Sequence, residues 1–434
     1  MSRALPSMTT PIQDETPASG ESSTPAQDVG ADSERRETPR RGNLFDKVRQ
    51  FTRARDLQAK GLYPYFRPIS GSEDTVVTID GRRLIMLGSN NYLGLTHHPK
   101  VLAAAERALH RYGSGCTGSR FLNGTLDLHE RLEADLAEFL GKEACLVFPT
   151  GYGANLGVIS SLVGRNEYVY IDKLDHASIV DGAHLSYGRT VRFRHNDLAN
   201  LEEKLSRQGA GHAAMIIVDG VYSMDGIIAD VPGLVEVAKR HGAVLGVDDA
   251  HAVGVIGPDG NGTAAHYGME DDVDVIVGTF SKSFASIGGY VAASEDVVHY
   301  IRHNSRPFMF SAALPPAATA SVHAALEVIR DEPERRERLW ANTRRLMSGL
   351  VELGFDIGES ETPVVPVLIG EIERTFLFWK QLFEAGVFTN PVAPPAVPES
   401  ECRLRTSLIA TLTASQIDRS LGAFEKVGRE LGVI

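Results

Sequence analysis

Short apolar segments alternate with helical patterns from Leu84 to about residue 293, and this alternation constrains the fold more than any other feature. The segments are nearly continuous in valine, isoleucine and leucine: ACLVF, EYVYID, RTVRFR, AAMIIVDG, AVLGVDDA, DVIVGTF and GGYVAA. Such runs are typical of parallel strands that helices cover on both faces. The sequence therefore predicts an α/β fold in which ligands gather at the carboxyl ends of the strands.

Composition divides the 434 residues into four regions. Residues 1–42 are rich in Ser, Thr, Pro, Glu and Asp and have almost no large apolar side chain, so we expect a disordered tail. Residues 43–105 are predicted to form an N-terminal helix and a small extension, and residues 106–310 a large domain. Residues 311–434 are predicted to form a smaller α+β domain, with a long helix that begins at its proline pair.

The segment that follows Asn43 predicts one amphipathic helix ending at Gly61. Its apolar residues are Leu44, Val48, Phe51 and Leu57, and its basic residues are Lys47, Arg49, Arg53 and Arg55. We expect this helix to dock on its own domain or on a sister subunit. Contact with an anionic membrane surface is the alternative.

The bulk composition excludes several classes of protein. A formal net charge of -12 and a pI near 5.6 argue against a surface that binds nucleic acid. The three cysteines have neither a disulfide pattern nor zinc-ligand spacing, and we expect no metal site. With no apolar run of membrane-spanning length and no signal peptide, we expect a cytoplasmic protein, with peripheral contact at the inner membrane face as the alternative.

Carboxylates and an imidazole follow one apolar strand, in the sequence AVLGVDDAHAVG. Asp248 and Asp249 are adjacent, and His251 comes two residues later. Successive strand side chains point to opposite faces, so Asp248 and Asp249 cannot both enter one site. A carboxylate at the end of a hydrophobic strand needs a cationic partner such as a protonated pyridine nitrogen. The alternative is an aspartate that caps the next turn.

An amine and two hydroxyls follow another apolar strand, in the sequence DVIVGTFSKS. Lys282 would lose hydration there, which lowers the pKa of its amine and makes it a better nucleophile and base, as a lysine that bonds to an aldehyde requires. Thr279 and Ser281 beside it offer hydroxyls for a phosphate. The alternative is a solvated surface lysine.

Two further strand ends lead directly into helices. In FPTGYGANLGVIS, Gly151 and Gly153 let the backbone turn before a helix whose N–H groups suit a phosphate, although the P-loop pattern is absent. In YIDKLDHASIVDG, Asp175 and His176 precede a helix, and a neutral imidazole can lie on an aromatic ring. The alternative for His176 is a simple contact at the helix N-terminus. The four strand ends together fit pyridoxal 5'-phosphate.

The residues from about Gly61 to Ile434 resemble the α-oxoamine synthases, pyridoxal-phosphate enzymes that condense an amino acid with an acyl-CoA thioester. The motifs are GLYPYFRP, LGSNNYLGL, YGSGCTGSRFLNGTLDLHERLE, DHASIVDG, RFRHND, VDGVYSMDG, VDDAHAVGV, GTFSKSFASIGGY and RPFMFSAALPP. The resemblance implies the fold-type I, aspartate aminotransferase-like architecture, with a mostly parallel central sheet in a large domain and a smaller C-terminal α+β domain. It also implies a homodimer with an active site shared between the subunits.

The resemblance assigns roles to individual residues. Lys282 would bond to the cofactor and move protons at Cα of the substrate, Asp248 would pair with the pyridine nitrogen, and His176 would stack on the ring. The remaining cofactor contacts would come from Ser223 and His251 near the ring oxygen, from Gly151, Tyr152, Thr279 and Ser281 around the phosphate, and from Ser311 of the other subunit. Arg405 would bind the substrate carboxylate, and Asn91 would line the substrate site.

Two positions depart from the family pattern. Ala393 stands where relatives have a second arginine, and Leu412 stands where many have a histidine. The first departure leaves Arg405 as the group expected to bind the carboxylate alone.

The form of the lysine motif is most similar to family members that condense L-serine with a long-chain acyl-CoA such as palmitoyl-CoA, giving 3-ketodihydrosphingosine, coenzyme A and carbon dioxide. The alternatives within the family use alanine with a pimeloyl thioester, or glycine. A non-catalytic partner subunit is a further alternative, but such subunits lack the lysine that stands here at position 282.

Overall fold

The computed structural model describes residues 43–207 and 211–434. The predicted disordered tail, residues 1–42, lies outside the described residues. The helices are α1 Asp46–Arg49, α2 Arg53–Ala59, α3 Pro99–Tyr112, α4 Asp127–Phe139, α5 Gly151–Leu162, α6 Ala177–Leu185, α7 Leu198–Arg207, α8 Val231–His241, α9 Thr263–His266, α10 Glu295–Asn304, α11 Arg306–Met309, α12 Pro316–Asp331, α13 Glu334–Leu353, α14 Ile372–Glu384 and α15 Ala414–Glu430.

The strands form three sheets. They are β1 Ile69–Glu73, β2 Val76–Ile79, β3 Arg82–Met86, β4 Ala144–Phe148, β5 Tyr168–Asp172, β6 Arg189–Phe193, β7 Ala214–Asp219, β8 Val244–Asp248, β9 Val275–Thr279, β10 Gly289–Ala293, β11 Val364–Gly370, β12 Val387–Phe388, β13 Asn390–Val392 and β14 Cys402–Ser407. All seven strands predicted between residues 144 and 293 are present in one sheet, so this part of the prediction is confirmed.

The seven-stranded sheet has the order β4-β10-β9-β8-β7-β5-β6. Its pairs from β9 to β6 are parallel, and β10 alone runs antiparallel to both of its neighbours. In β7, Ile216 and Val218 face one apolar cluster, while Met215 and Ile217 face another. Both faces of the sheet are therefore buried, which is why its strands show no alternation of apolar and polar residues.

Two smaller sheets flank this core. One has the order β1-β2-β3-β12 and the other β11-β14-β13. The pairing of β12 with β3 joins the chain near residue 387 to the chain near residue 85, so the regions predicted as 43–105 and 311–434 share one sheet. The domain boundaries at residues 106 and 311 stay predictions.

The described chain divides at Arg55 into two units, and its N-terminal unit differs from the predicted single helix. The helix α1 ends at Arg49 and α2 begins at Arg53, so the prediction of one continuous helix is wrong. The residues between α1 and α2 include Phe51 and Thr52, which are weak helix formers. Since a helix of one turn gains little to offset its nucleation cost, α1 does not extend through these residues to join α2. Asn43 is the predicted N-cap of the single helix, but the residue at the N-cap of α1 is Phe45, and Asn43 accepts a hydrogen bond from the backbone N–H of Phe45 in the turn before the helix.

None of the helices among the described residues combines the length and the apolarity needed to cross a bilayer. Docking of the N-terminal segment and its contact with a membrane surface stay predictions.

Candidate active site

The predicted cofactor residues converge on one cavity of about 350 Å³ at the carboxyl edge of the seven-stranded sheet. Nine of the ten line it: Gly151, Tyr152, His176, Ser223, Asp248, His251, Thr279, Ser281 and Lys282. They are brought together because β7, β8 and β9 are parallel neighbours whose carboxyl ends meet at one edge. Ser311, the tenth, was expected to act from a second subunit, and its role stays a prediction.

The amine of Lys282 lies in the cavity just beyond the end of β9. Burial lowers its pKa from 10.5 to about 8, although the carboxyl groups of Asp248 and Asp219 favour the charged form and oppose this shift. Lys282 is therefore poised to lose its proton at a pH only slightly above neutral, which favours its action as a nucleophile or a base.

Asp248 and Asp249 point to opposite faces of the sheet, as predicted. The carboxylate of Asp248 accepts hydrogen bonds from Asn155 Nδ2 at 2.6 Å and from the backbone N–H of Ala250 at 2.9 Å. Asp249 instead accepts from the backbone N–H and the hydroxyl of Thr263, and burial raises its pKa to about 7. Asp248 therefore belongs to the cavity, and Asp249 holds the loop that follows β8.

His176 caps helix α6 and also lines the cavity, so the two interpretations of this residue are compatible. Its Nδ1 lies 2.7 Å from the hydroxyl of Ser178, and its backbone N–H donates to Asp219 Oδ2 at 2.9 Å. Burial lowers the pKa of the His176 imidazole, which favours the neutral ring that stacking on an aromatic cofactor requires. Asp175 faces the backbone N–H groups of Asp172 and Asp219 instead of the cavity.

His251 is buried against a tyrosine that the sequence reasoning missed. The hydroxyl of Tyr92 lies 2.6 Å from His251 Nδ1. Burial lowers the pKa of His251 well below its usual value, and the cations Lys282 and Arg405 act in the same direction. A neutral His251 is therefore expected, and no spacing in the sequence connects it to Tyr92, which is 159 residues away.

The part of the cavity beside the N-terminus of α5 is suited to an anion. Helix α5 begins at Gly151, and the first N–H groups of a helix have no partner within it. The hydroxyls of Thr279 and Ser281 lie 3.0 Å apart beside this helix N-terminus. Tyr152 also lines the cavity, and its hydroxyl bonds to Asp181.

Arg405 is the cation expected to bind a substrate carboxylate, and its partners are all neutral oxygens. Nε donates to the backbone carbonyl of Ser223, Nη1 to the hydroxyl of Ser407 and Nη2 to Asn90 Oδ1. Arg405 is only 5% exposed, and it is close enough to Lys282 to lower the pKa of that amine.

Three arginines are buried in the part of the chain that the structure describes, and only Arg405 among them has no carboxylate partner there. Arg120 pairs with Glu133 at 2.7 Å, and Arg403 pairs with Glu401 at 3.0 Å. A buried guanidinium without a counter-ion is costly, so this one is suited to receive a carboxylate from a ligand.

Asn91 and the two family departures lie apart from these contacts. The Asn91 amide accepts from the backbone N–H of Leu95 and donates to the hydroxyl of Thr96, so it holds its own turn, and its predicted place in the substrate site stays a prediction. Ala393 packs in an apolar cluster that includes Phe376, and Leu412 is buried in the main core. Both side chains are apolar, so neither supplies a charge at these positions.

Comparison with known proteins decides the family. The model of the aminotransferase class I and II family matches residues 82–424, most of the chain. The chain belongs to this family. Its predicted fold class and family resemblance are confirmed.

The chain is 49% identical over 390 residues to a serine palmitoyltransferase of Sphingobacterium spiritivorum, an alignment that covers 90% of this chain and 98% of the relative. It is 44% identical over 381 residues to an 8-amino-7-oxononanoate synthase of Geobacter sulfurreducens, covering 87% and 97%. A high-resolution structure of SPT (serine palmitoyltransferase) with PLP as an internal aldimine superposes with a TM-score of 0.88 at 39% identity, covering 91% of this chain and 100% of that one.

Sequence reasoning missed several residues of the site, among them Asn90, Tyr92, Asn155 and Asp219. Asn155 and Asp219 line the cavity, and Asn90 and Tyr92 contact residues that belong to the site. Asp219 had a signal that could have been used, because it ends an apolar strand just as Asp248 does. Asn155 lies in α5 together with Ser160 and Ser161, and nothing in the local sequence marks Asn155 as a residue of the site.

Proposed function

We propose that this chain condenses L-serine with a long-chain acyl-CoA thioester, palmitoyl-CoA being the expected donor. The products are 3-ketodihydrosphingosine, coenzyme A and carbon dioxide, which would be the first step of sphingolipid synthesis. One observation supports an amino acid as the substrate: a buried arginine without a carboxylate partner among the described residues, Arg405, is close enough to Lys282 to contribute to lowering the pKa of that amine to about 8. The identity to serine palmitoyltransferases favours serine as the amino acid.

The chain is a pyridoxal-phosphate-dependent acyltransferase, and its cavity fits this cofactor group by group. Helix α5 and the hydroxyls of Thr279 and Ser281 suit the phosphate. Asp248 suits a protonated ring nitrogen, His176 suits the ring face, and Lys282 suits the aldehyde. A carboxylate, a neutral imidazole and an amine of lowered pKa together match the charge and polarity of pyridoxal phosphate.

Each residue then has a defined task. Bound pyridoxal phosphate supplies an electron sink for the pair of electrons left on Cα of the amino acid. Lys282 holds the cofactor, takes the proton from Cα and later returns it, and Asp248 keeps the ring nitrogen protonated. Arg405 holds the substrate carboxylate in a fixed orientation. Holding both substrates in one site can supply several kcal/mol of the barrier, roughly 7 or more in favourable systems.

A second copy of the chain is proposed to complete the site. Large apolar side chains stand exposed in the structure, among them Leu122, Phe310 and Ile287, and Ile287 also lines the cavity. An interface between two copies of the chain could bury such side chains. We therefore propose a homodimer in which Ser311 of one subunit reaches the phosphate end of the other subunit's cavity.

The second candidate function is 8-amino-7-oxononanoate synthesis from alanine and a pimeloyl thioester. Identity of 44% to such an enzyme favours it, and the carboxylate of alanine would satisfy Arg405 equally well. Glycine, the substrate of 2-amino-3-ketobutyrate CoA ligase, remains the third amino acid to test.

The test compares the three amino acids directly. The purified protein is loaded with pyridoxal phosphate and titrated with serine, alanine or glycine while the cofactor absorbance is recorded. Acyl-CoAs of graded chain length and pimeloyl-CoA are then added, and each product is identified from its molecular mass by mass spectrometry. We expect serine with the long-chain thioesters to give the fastest turnover. Faster product formation from alanine and pimeloyl-CoA would overturn the proposal in favour of the second candidate.

A further inference from the structure

The number of N–H groups left on Arg405 determines how a ligand can bind to it. A guanidinium carries five N–H groups, one on Nε and two on each terminal nitrogen. Ser223, Ser407 and Asn90 each take one of them, at 2.5, 2.9 and 3.0 Å. The hydroxyl of Tyr92 is also close enough to form a hydrogen bond with this guanidinium. These contacts leave at most one N–H on Nη1 and one on Nη2 for the carboxylate of a ligand.

Of the three partners, Asn90 differs from the others in where it lies. Ser407 is on the same strand as Arg405, two residues further along, and Ser223 contributes only its backbone carbonyl. Asn90 comes from a loop 315 residues away in sequence and contributes a side-chain oxygen. Its amide is therefore the contact from outside β14 that a single substitution can remove without moving a strand.

The loop that carries Asn90 is itself tied down. After Asn90, the side chain of Asn91 forms hydrogen bonds with Leu95 and Thr96. Before it, the carbonyl of Gly88 accepts a hydrogen bond from Asn390 Nδ2 at 2.7 Å. The carbonyl of Leu87 accepts one from the backbone N–H of Ser407, also at 2.7 Å. The N–H of Ala410 also donates to the carbonyl of Tyr92. Asn90 is thus presented to Arg405 from a fixed loop, and this contact costs little additional ordering.

We propose that Asn90 is a positioning residue that fixes the Arg405 guanidinium and so sets the affinity of the site for the carboxylate of its amino-acid substrate. This inference rests on the proposed function. The resemblance leaves Arg405 as the single arginine expected to bind the carboxylate, and its orientation depends on neutral hydrogen-bond partners.

The test uses two substitutions at position 90 and two ligands. Asn90→Ala removes the acceptor, and we expect the Kd for L-serine, read from the cofactor absorbance, to rise about tenfold. Ethanolamine, which is serine without its carboxylate, is expected to bind the variant and the wild type equally. Asn90→Asp keeps an acceptor but adds a negative charge that competes with the substrate carboxylate for Arg405. We therefore expect Asn90→Asp to weaken serine binding more than Asn90→Ala does. Its Tm should be equal to or higher than that of Asn90→Ala.

A purely structural role for Asn90 predicts a different pattern, because the aspartate would hold Arg405 best and bind serine best. The proposal is overturned if Asn90→Ala binds serine with the wild-type Kd, or if it loses serine and ethanolamine affinity equally. Failure of the proposed function is distinguishable: if the wild type binds alanine or glycine and not serine, the same comparison is made with that amino acid. If the wild type binds none of the three, the inference falls together with the proposed function.

Discussion

At the scale of single residues, the site is organised by what burial does to charged groups. Burial lowers the pKa of the Lys282 amine and of the His176 and His251 imidazoles, and it raises the pKa of the Asp219 carboxyl. Each shift favours the neutral form of the group. Arg405 does not line the cavity itself, but it contacts the backbone carbonyl of Ser223, which does, and it has no carboxylate partner among the described residues.

The lowered pKa of Lys282 predicts a pH-dependent stability for the cofactor-free protein. Between pH 8 and 10.5 the unfolded chain holds a proton on Lys282 that the folded chain has lost, so the folded state gains stability as the pH rises. Relative to Lys282→Met, the wild type should gain about 2 kcal/mol in free energy of unfolding between pH 7.5 and about 9.5. Urea unfolding at both pH values measures this difference, and a constant difference would show that the pKa is not lowered.

Removal of the Lys282 amine tests its proposed chemical role. Lys282→Ala is expected to lower turnover by at least about 10³-fold, because the base that moves the Cα proton is lost. Some non-covalent cofactor binding should survive, since the phosphate and ring contacts remain. Turnover by steady-state kinetics and cofactor content by absorbance measure the two effects. Lys426→Ala, on the exposed side of α15, is the matched control and should behave as wild type. Wild-type turnover in Lys282→Ala would exclude the assignment.

Asp219 is expected to support His176 through the hydrogen bond that its carboxyl accepts, and burial favours the uncharged form of this carboxyl. Its carboxyl accepts the backbone N–H of His176, and burial and the nearby Asp248 raise its pKa well above the usual value. Asp219→Asn should therefore keep the Kd for pyridoxal phosphate within about threefold of wild type, whereas Asp219→Ala should raise it about tenfold or more. Fluorescence titration of the apoprotein measures both. An asparagine variant as weak as the alanine variant would mean that the negative charge is required.

At the scale of elements, the site depends on the close approach of α5 to the ends of β9 and β10. A Cβ on Gly151 would lie 2.6 Å from Thr279 Cβ, and a Cβ on Gly289 would lie 2.5 Å from Gly151 Cα. Glycine at both positions is what allows the N-terminus of α5 to lie against the strand ends. The anion-binding end of the cavity is therefore a packing arrangement of three elements.

This arrangement predicts that a glycine-to-alanine substitution in α5 weakens cofactor binding, whereas one in α15 does not. Gly151→Ala should displace Thr279 and raise the Kd for pyridoxal phosphate about tenfold, because even one added methyl group overpacks the contact. Gly422→Ala, in α15 with no heavy atom within 4 Å of its added Cβ, should stabilise the protein by about 0.5 to 1 kcal/mol and leave cofactor binding unchanged. Thermal unfolding and cofactor titration of both variants measure this contrast. If the two substitutions changed the Kd for pyridoxal phosphate equally, the packing contact at Gly151 would not be what shapes the anion-binding end of the cavity.

At the scale of the whole molecule, the described chain supplies a cavity with all but one of the predicted cofactor residues. The remaining residue, Ser311, follows Phe310, which is 73% exposed. An exposed aromatic residue next to the missing contact is consistent with a surface that another copy covers. Each active site of the proposed dimer should therefore contain residues of both subunits.

Mixing two inactive variants tests whether sites are shared. Lys282→Ala lacks the base, and Ser311→Asp should repel the phosphate by placing a carboxylate beside it. If Ser311 acts in the partner's site, subunit exchange forms mixed dimers that contain one intact site, and about a quarter of wild-type turnover should return in an equimolar mixture at random exchange. No recovery after exchange, confirmed by native mass spectrometry, would contradict a shared site.

The seven strands and the helix that begins at the proline pair followed from the sequence by itself. So did the prediction that Asp248 and Asp249 point to opposite faces. The strands followed from short continuous apolar runs, and the opposite directions of Asp248 and Asp249 followed from the two-residue repeat of a strand. The family motifs added the proposed roles of Lys282 and Arg405. The division of the N-terminal segment into α1 and α2 did not follow, since its apolar spacing fits one helix as well as two.

Only the tertiary structure decided which neutral groups surround the charged ones. Asn90 meets Arg405 across 315 residues, and Tyr92 meets His251 across 159. Such contacts depend on how loops from different sheets approach one another, and no periodicity encodes that path. The sequence therefore determined where reactive groups occur along the chain, whereas the packing of separate elements decided which of them lie within hydrogen-bonding distance.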